Sequence, residues 1–536
     1  MSNNLSEKLQ SDLLKLKKWR GTVKAVVNEL KARGIKGIGT GSYRTYTLPH
    51  AKPTVHTPRL AKEVGEFLAA LERENPIGTS VPALPEVSRK DRLRERECSP
   101  EDDIKQEWKL NAATIRDNRN VFNVLMSTFY GINENAKKGK GSGDVVVRVR
   151  TCGPVINTAP LIDKELAQVT LDGVTVDLLI IPEWIPDQLI KLSELDKQKK
   201  CLAKYENGMP PDLEPTLADN RKKYLGSKSK DLPTYNLIGV ELGDTFVPAM
   251  SFTRSSYYRY INNGEALSWE LARAYNSLPI DFKLKDKETL AEYRVRISRN
   301  QKAIDAWCKE ALLKRLSVRP FVLHNRSVGF GINTLTILAR KNMPPCFFLH
   351  DRTAKPGEAS GQVHVIPAGT FQPLCSHETP EVDAFEYSFT NNVMREYCEE
   401  ILNKEKLMLE KIVCVTSPAE VYAEDEELRK AKDLFDQGYF DQYFLGCGLD
   451  VVTLKLEMLS LLIIHGEKYG SVGLTIKGGS DYEGPLRRNP PEFSRRSLKD
   501  TMKIPNLLPA GAGCIALAYH YFDEIMERIQ TLLGKP

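Results

Sequence analysis

Residues 364–373 read HVIPAGTFQP, and residues 385–402 read FEYSFTNNVMREYCEEIL. The first run alternates apolar residues and then stops at Pro-Ala-Gly, which predicts a strand ending in a turn. The second places apolar Val393, Tyr397 and Ile401 four apart, the spacing of a helix face. On that helix Glu396, Glu399 and Glu400 stand at i, i+3 and i+4, so three carboxylates share an arc of about 100°. Like charges at this spacing repel, and a counter-cation relieves them. Oxygen ligands on a rigid element suit hard cations such as Mg²⁺ or Mn²⁺. Arg395 is placed to pair with one carboxylate and hold its rotamer. The plainer reading is a glutamate-rich helix face in water. A strand, a glycine turn and an acidic helix in succession favour the metal, because the turn glycine lets backbone come close to a bound diphosphate or ion.

Outward from this stretch, the strand-like runs VRPFVLHN, INTLTILAR, PCFFLHD, KIVCVTS and LEMLSLLIIHG, with helices near 424–437 and 513–533, predict a mixed sheet between helices over 316–536. The acids of EVYAEDEE (420–427) are either a candidate catalytic base or the solvated first turn of the next helix. Cys375 and His377 lie two apart in the segment 374–385, a spacing that suits an ordinary loop as well as a metal pair. His324, His350, His364, His465 and His520 lie in apolar runs and read as hydrogen-bonded core or edge histidines.

Residues 105–315 read as an α+β domain. They begin with a helix over 105–130, include a hairpin in VTLDGVTVDLLII (169–181), and are charged and helical or looped over 190–232. KKGKGSGD at 137–144 lacks the G-x-x-x-x-G-K-[ST] spacing and predicts a turn, not a phosphate loop. Residues 1–104 form a basic, mainly helical region ending in a Pro-rich, charged linker. Residues 1–60 hold twelve Lys/Arg against three acids, whereas the whole chain of 536 residues is only +6. Lys17, Lys18, Arg20, Lys24, Lys31 and Arg33 are therefore candidates for nucleic-acid contact, or a solvated helix face.

Hydrophobic residues at 41% and charged residues at 27% exclude collagen, low-complexity disorder and a disulfide scaffold. The largely apolar run Leu459 to Ile464 is too short to span a membrane. The start MSNNLSEKLQ has no apolar core like that of a secretory signal. Ten cysteines without a CxxC pair read as reduced thiols, so the expected location is the cytoplasm.

The acidic segment resembles the signature of the Nudix family: a glycine, five residues, a Glu, seven residues, then R-E-U-x-E-E-x-G-U, with U bulky and apolar. Gly369 matches the leading glycine, Glu386 the first Glu, and Arg395, Glu396, Tyr397, Glu399 and Glu400 the core. The spacers are sixteen and eight residues instead of five and seven, and Leu402 replaces the last glycine, with Asn403 available to cap the helix. The runs VHVIPAGTFQP, REYCEEIL, GLDVVTLKLEMLSLLII and LLPAGAGCIALAYHY look like a bacterial subgroup of large multidomain proteins with a C-terminal Nudix-like domain, some labelled as transcriptional regulators. The resemblance implies an α/β/α sandwich with a mixed sheet over 316–536. It implies Mg²⁺- or Mn²⁺-dependent attack of water on a nucleotide or nucleoside diphosphate derivative. Glu396, Glu399 and Glu400 would bind the metal, Arg395 would complete the catalytic set, and Gly369 and Glu386 would lie on the substrate side. A homodimer is implied by resemblance alone. The alternative is a nucleotide sensor that does not cleave, joined to a DNA-binding N-terminal region.

Overall fold

In the computed structural model the described residues are 100–132, 145–150, 166–199, 208–227, 229–242, 248–352, 361–373, 386–404, 406–408, 418–477, 479–480 and 484–535. The candidate DNA contacts Lys17, Lys18, Arg20, Lys24, Lys31 and Arg33 lie outside them, as do Cys375, His377, the segment 137–144 and the run KIVCVTS.

The structure is mixed α and β. Seven strands form its main sheet: β1 (Leu178–Leu179), β2 (Ile190–Lys191), β3 (Phe330–Arg340), β4 (Met343–Phe347), β5 (Ala368–Thr370), β6 (Phe440–Asp450) and β7 (Leu456–His465). The order is β5-β3-β7-β6-β1, with β2 also on β6 and β4 also on β3. β3 and β7 run parallel and the other pairs antiparallel. Every residue of β7 is buried, as befits a central strand covered on both faces.

Five helices matter here: α1 (Leu192–Gln198), α2 (Phe389–Glu400), α3 (Glu426–Asp436), α4 (Pro509–His520) and α5 (Phe522–Leu533). Strand residues alternate between two cores. Leu338, Leu462 and Ile464 pack with Met394, Tyr397 and Ile401 of α2. Leu335, Ile337, Leu459, Leu461 and Ile463 pack with Ile515 and Leu517 of α4. The period-2 alternation of a strand thus puts α2 on one face of the sheet and α4 on the other.

Cys98–Pro536 is one compact unit. The segments 105–315 and 316–536 share its sheet, since β1 and β2 come from the first and pair β6 of the second. Buried arginines add further ties. Arg119 meets Asp450 at 2.6 Å, and Arg315 donates to Tyr130 Oη, Val451 O and Val452 O. The sheet and its core thus run across the expected boundary at 315/316.

Several local expectations have direct counterparts. The Asp172-Gly173 turn joins Leu166–Leu171 to Val174–Thr175. The helical run over 513–533 is two helices, broken at Tyr521. Asp425 caps α3 through the amides of Glu427 and Leu428 and pairs with Lys404 at 2.6 Å, so the acids at 425–427 serve a helix start and surface ion pairs. Among the described residues no helix is long and apolar enough to cross a membrane. The described cysteines Cys308, Cys346, Cys398, Cys447 and Cys514 are free thiols, all buried except Cys346.

Candidate functional site

α2 starts at a double cap. Ser388 accepts from the Asn391 amide at 3.1 Å. Asp196, reaching over from α1, accepts from the amides of Phe389 (2.7 Å) and Thr390 (3.1 Å) and from the hydroxyls of Ser388 and Thr390. A carboxylate there also complements the positive end of the helix. Lys199 closes the arrangement, 2.8 Å from Asp196 and 4.2 Å above the Tyr387 ring. Burial pushes its ammonium below the usual lysine range. Asp196→Ala is expected to destabilise the chain by about 1–2 kcal/mol, read as a lower urea midpoint. An unchanged midpoint would mean that Ser388 alone suffices.

At its other end α2 stops at Glu400, and three residues on Asn403 takes the left-handed conformation (φ 54°). The Lys404 amide then donates back to Cys398 O at 3.0 Å, which satisfies one of the last carbonyls of the helix. Asn403 does here what glycine does more often.

Between these ends the acids turn inward. Glu396, Glu399 and Glu400 are 6%, 9% and 3% exposed, Glu386 is 6% and Arg395 is 4%. A solvated acidic face would leave them open to water. Arg395 instead threads the cluster, donating to Glu396 and, at 3.2 Å, to Glu399, and reaching Thr370 O and Asn392 Oδ1. Burial works against its charge, and the carboxylates of Glu396, Glu399 and Glu386 outweigh that, so the guanidinium stays protonated. Glu400 accepts the Ala368 amide of β5 at 3.1 Å. The Glu396 carboxylate lies against Gly369, in the volume that a Cβ there would fill. The expected turn at Pro-Ala-Gly is a bend at Ile366–Pro367, and Ala368 and Gly369 already belong to strand β5, drawn into the ladder by their pairing with β3. That strand and the acidic helix are in contact, with Gly369, Arg395, Glu396, Glu399 and Glu400 in one place and Glu386 within electrostatic range of Arg395. Gly369→Ala is expected to displace Glu396 and to lower stability by about 1–3 kcal/mol through overpacking, measurable by thermal unfolding. A variant as stable as the parent would show that Glu396 has another rotamer at no penalty.

Sequence reasoning missed Asp196, Lys199 and Tyr422. The Tyr422 phenol, pushed well above its usual range by burial, shares the electrostatic surroundings of Arg395, Glu386 and Glu399. None of the three carries a local signal, because their roles arise from packing between distant segments. Among the described residues no group of three or more His, Cys, Asp or Glu stands in an arrangement that could hold a metal ion. The acids face Arg395 and the Ala368 amide instead, and their oxygen donors are of the kind that Mg²⁺ or Mn²⁺ accepts.

On the other face of the sheet His364 is hydrogen-bonded to Asn333 at 2.8 Å, whereas buried His350 has no such bond. The chain matches no protein-family model and no curated protein.

Proposed function

We propose that the C-terminal part of the chain is a Nudix-like hydrolase acting on the diphosphate linkage of a nucleotide or nucleoside diphosphate derivative. One observation carries this reading: buried Glu396 and Glu400 are docked against Gly369 and Ala368 of β5, the strand that precedes their helix. Turned away from Arg395 and from the Ala368 amide, Glu396, Glu399 and Glu400 would hold Mg²⁺ or Mn²⁺, which would neutralise phosphoryl charge and lower the pKa of a water. Arg395 sets the rotamers of Glu396 and Glu399. Gly369 makes room for the Glu396 carboxylate against β5, and Glu386 would add a fourth carboxylate on the substrate side. Water added across the P–O–P bridge of a nucleoside diphosphate derivative gives two phosphomonoesters, and across the α–β bridge of a nucleoside triphosphate it gives a nucleoside monophosphate and pyrophosphate. The test is product analysis on a panel of nucleoside diphosphate derivatives and nucleoside triphosphates with each metal. Paired monophosphates from a diphosphate derivative, or a nucleoside monophosphate with pyrophosphate from a triphosphate, support the reading, and a panel left intact overturns it.

The second reading is a sensor that binds the same class of ligand without cleavage. The engagement of Glu396 and Glu399 by Arg395 favours it, because a metal would compete for those oxygens. In that reading Lys17, Lys18, Arg20, Lys24, Lys31 and Arg33 contact DNA phosphates, and affinity for duplex DNA falls steeply with salt.

A further inference from the structure

The two-stranded ribbon of Leu349–Asp351 and Val363–Val365 pairs His350 directly with His364. Both imidazoles therefore stand on one face, nearly parallel, with ring centroids 6.1 Å apart. They are 0% and 3% exposed. His364 Nε2 lies 2.8 Å from Asn333 Oδ1, and the Asn333 amide nitrogen donates to Glu457 at 2.8 Å. With its NH₂ so used, Asn333 presents its oxygen to the ring. Nε2 is then the donor and Nδ1 the lone-pair acceptor. Nδ1 of His364 and both ring nitrogens of His350 are buried without a hydrogen-bond partner in the protein. Buried polar atoms are rarely left so.

Nδ1 of His364 points at the start of α4. A Cβ on Gly511 would stand 2.8 Å from it, so the glycine is what allows the approach. No side chain caps this helix. The Leu508 amide is used by Val363 O and the Ala512 amide by Leu508 O. Pro509 has no N–H, which leaves the amides of Ala510 and Gly511 as the positive end of the helix. Arg352 acts electrostatically on both imidazoles, and Lys455 on His364. The nearby carboxylate, Glu457, is held by Lys455 at 3.4 Å and by Asn333.

We infer that His350, His364 and the first turn of α4 form a binding site for a small oxyanion, a phosphate or carboxylate group, on the sheet face opposite the acidic helix. The anion accepts from the Ala510 and Gly511 amides and from both rings. Burial beside Arg352 drives the His350 imidazole down to about 3 and His364 well below its usual range, so the rings are neutral until an anion arrives. Binding then brings proton uptake and is tighter at pH 6 than at pH 8. The site does not depend on the hydrolase reading.

The experiment uses the full chain in EDTA, so that no metal bridges phosphate to the acidic helix. Thermal unfolding is titrated with sodium phosphate and with sodium acetate, against chloride at matched ionic strength, at pH 6 and pH 8. A saturable rise in Tm, stronger at pH 6 and weakened about tenfold or more in His364→Gln and in Gly511→Ala, supports the site. A response to acetate alone assigns it to carboxylates. A response no larger than chloride, or one equal in both variants, overturns it. Should a variant fail to fold, histidine ¹⁵N spectra of the unmodified chain decide. Ring-nitrogen shifts of His350 and His364 on phosphate addition support the proposal, and unmoved signals mean that only buried water fills the space.

Discussion

Replacing Glu399 and Glu400 together by Gln should lower metal-dependent hydrolysis by about 10²–10⁴-fold while the chain stays folded. The substitution keeps shape and volume and removes two negative charges. Glu400 uses one oxygen to accept the Ala368 amide, and a glutamine carbonyl can make the same bond. Glu399 shares Arg395 with Glu396, so the guanidinium keeps a carboxylate partner. What goes is the anionic oxygen that a hard cation needs. The checks are kcat/KM with Mg²⁺ on the best substrate of the panel and the Tm rise on adding Mg²⁺ alone. Both should fall in the double variant. A parent enzyme that turns over and a variant that matches it would remove Glu399 and Glu400 from the metal site. A parent that binds a panel member tightly without turnover would move the assignment to the sensor.

The part of the fold that depends on local periodicity could be read from the chain. Val393, Tyr397 and Ile401 are spaced for a helix face, and all three are buried under α2. The Asp-Gly pair at 172–173 marked its turn, and the apolar run of β7 marked a strand. What could not be read depends on partners far away in sequence. Residues 190–191 sit in a charged stretch with a helical look, yet they form a strand because β6 offers them an edge, and pairing outweighs propensity. Nothing in the sequence near 388 announces that Asp196 will cap α2. The break at Tyr521 has no glycine or proline to signal it. The burial of the three acids was equally hidden: spacing puts them on one arc, but only the position of β5 decides whether that arc faces water or the strand. His350 shows the same limit in reverse, since an apolar strand context suggested a hydrogen-bonded ring and the fold provides none.

Arg395→Met should be the most damaging single change for stability, at about 3–5 kcal/mol near neutral pH. Methionine approximates the length and the apolar stem, so packing against the neighbouring core is largely kept. The change takes away the cation facing two buried carboxylates, Glu396 and Glu399, along with the donors reaching Thr370 O and Asn392. Breaking a buried pair costs more than the pair contributes, because desolvation of the remaining charge persists. Arg395→Lys should fall in between. It restores the charge, but one ammonium cannot match the geometry of a planar fork that meets two carboxylates and a carbonyl. Urea unfolding of the parent and both variants measures the order directly. If Arg395→Met unfolds at the parent's midpoint, the acids around position 395 are already neutral in the folded chain. The cluster would then be a set of hydrogen-bonded carboxylic acids, and a divalent cation would have no charge there to attract it.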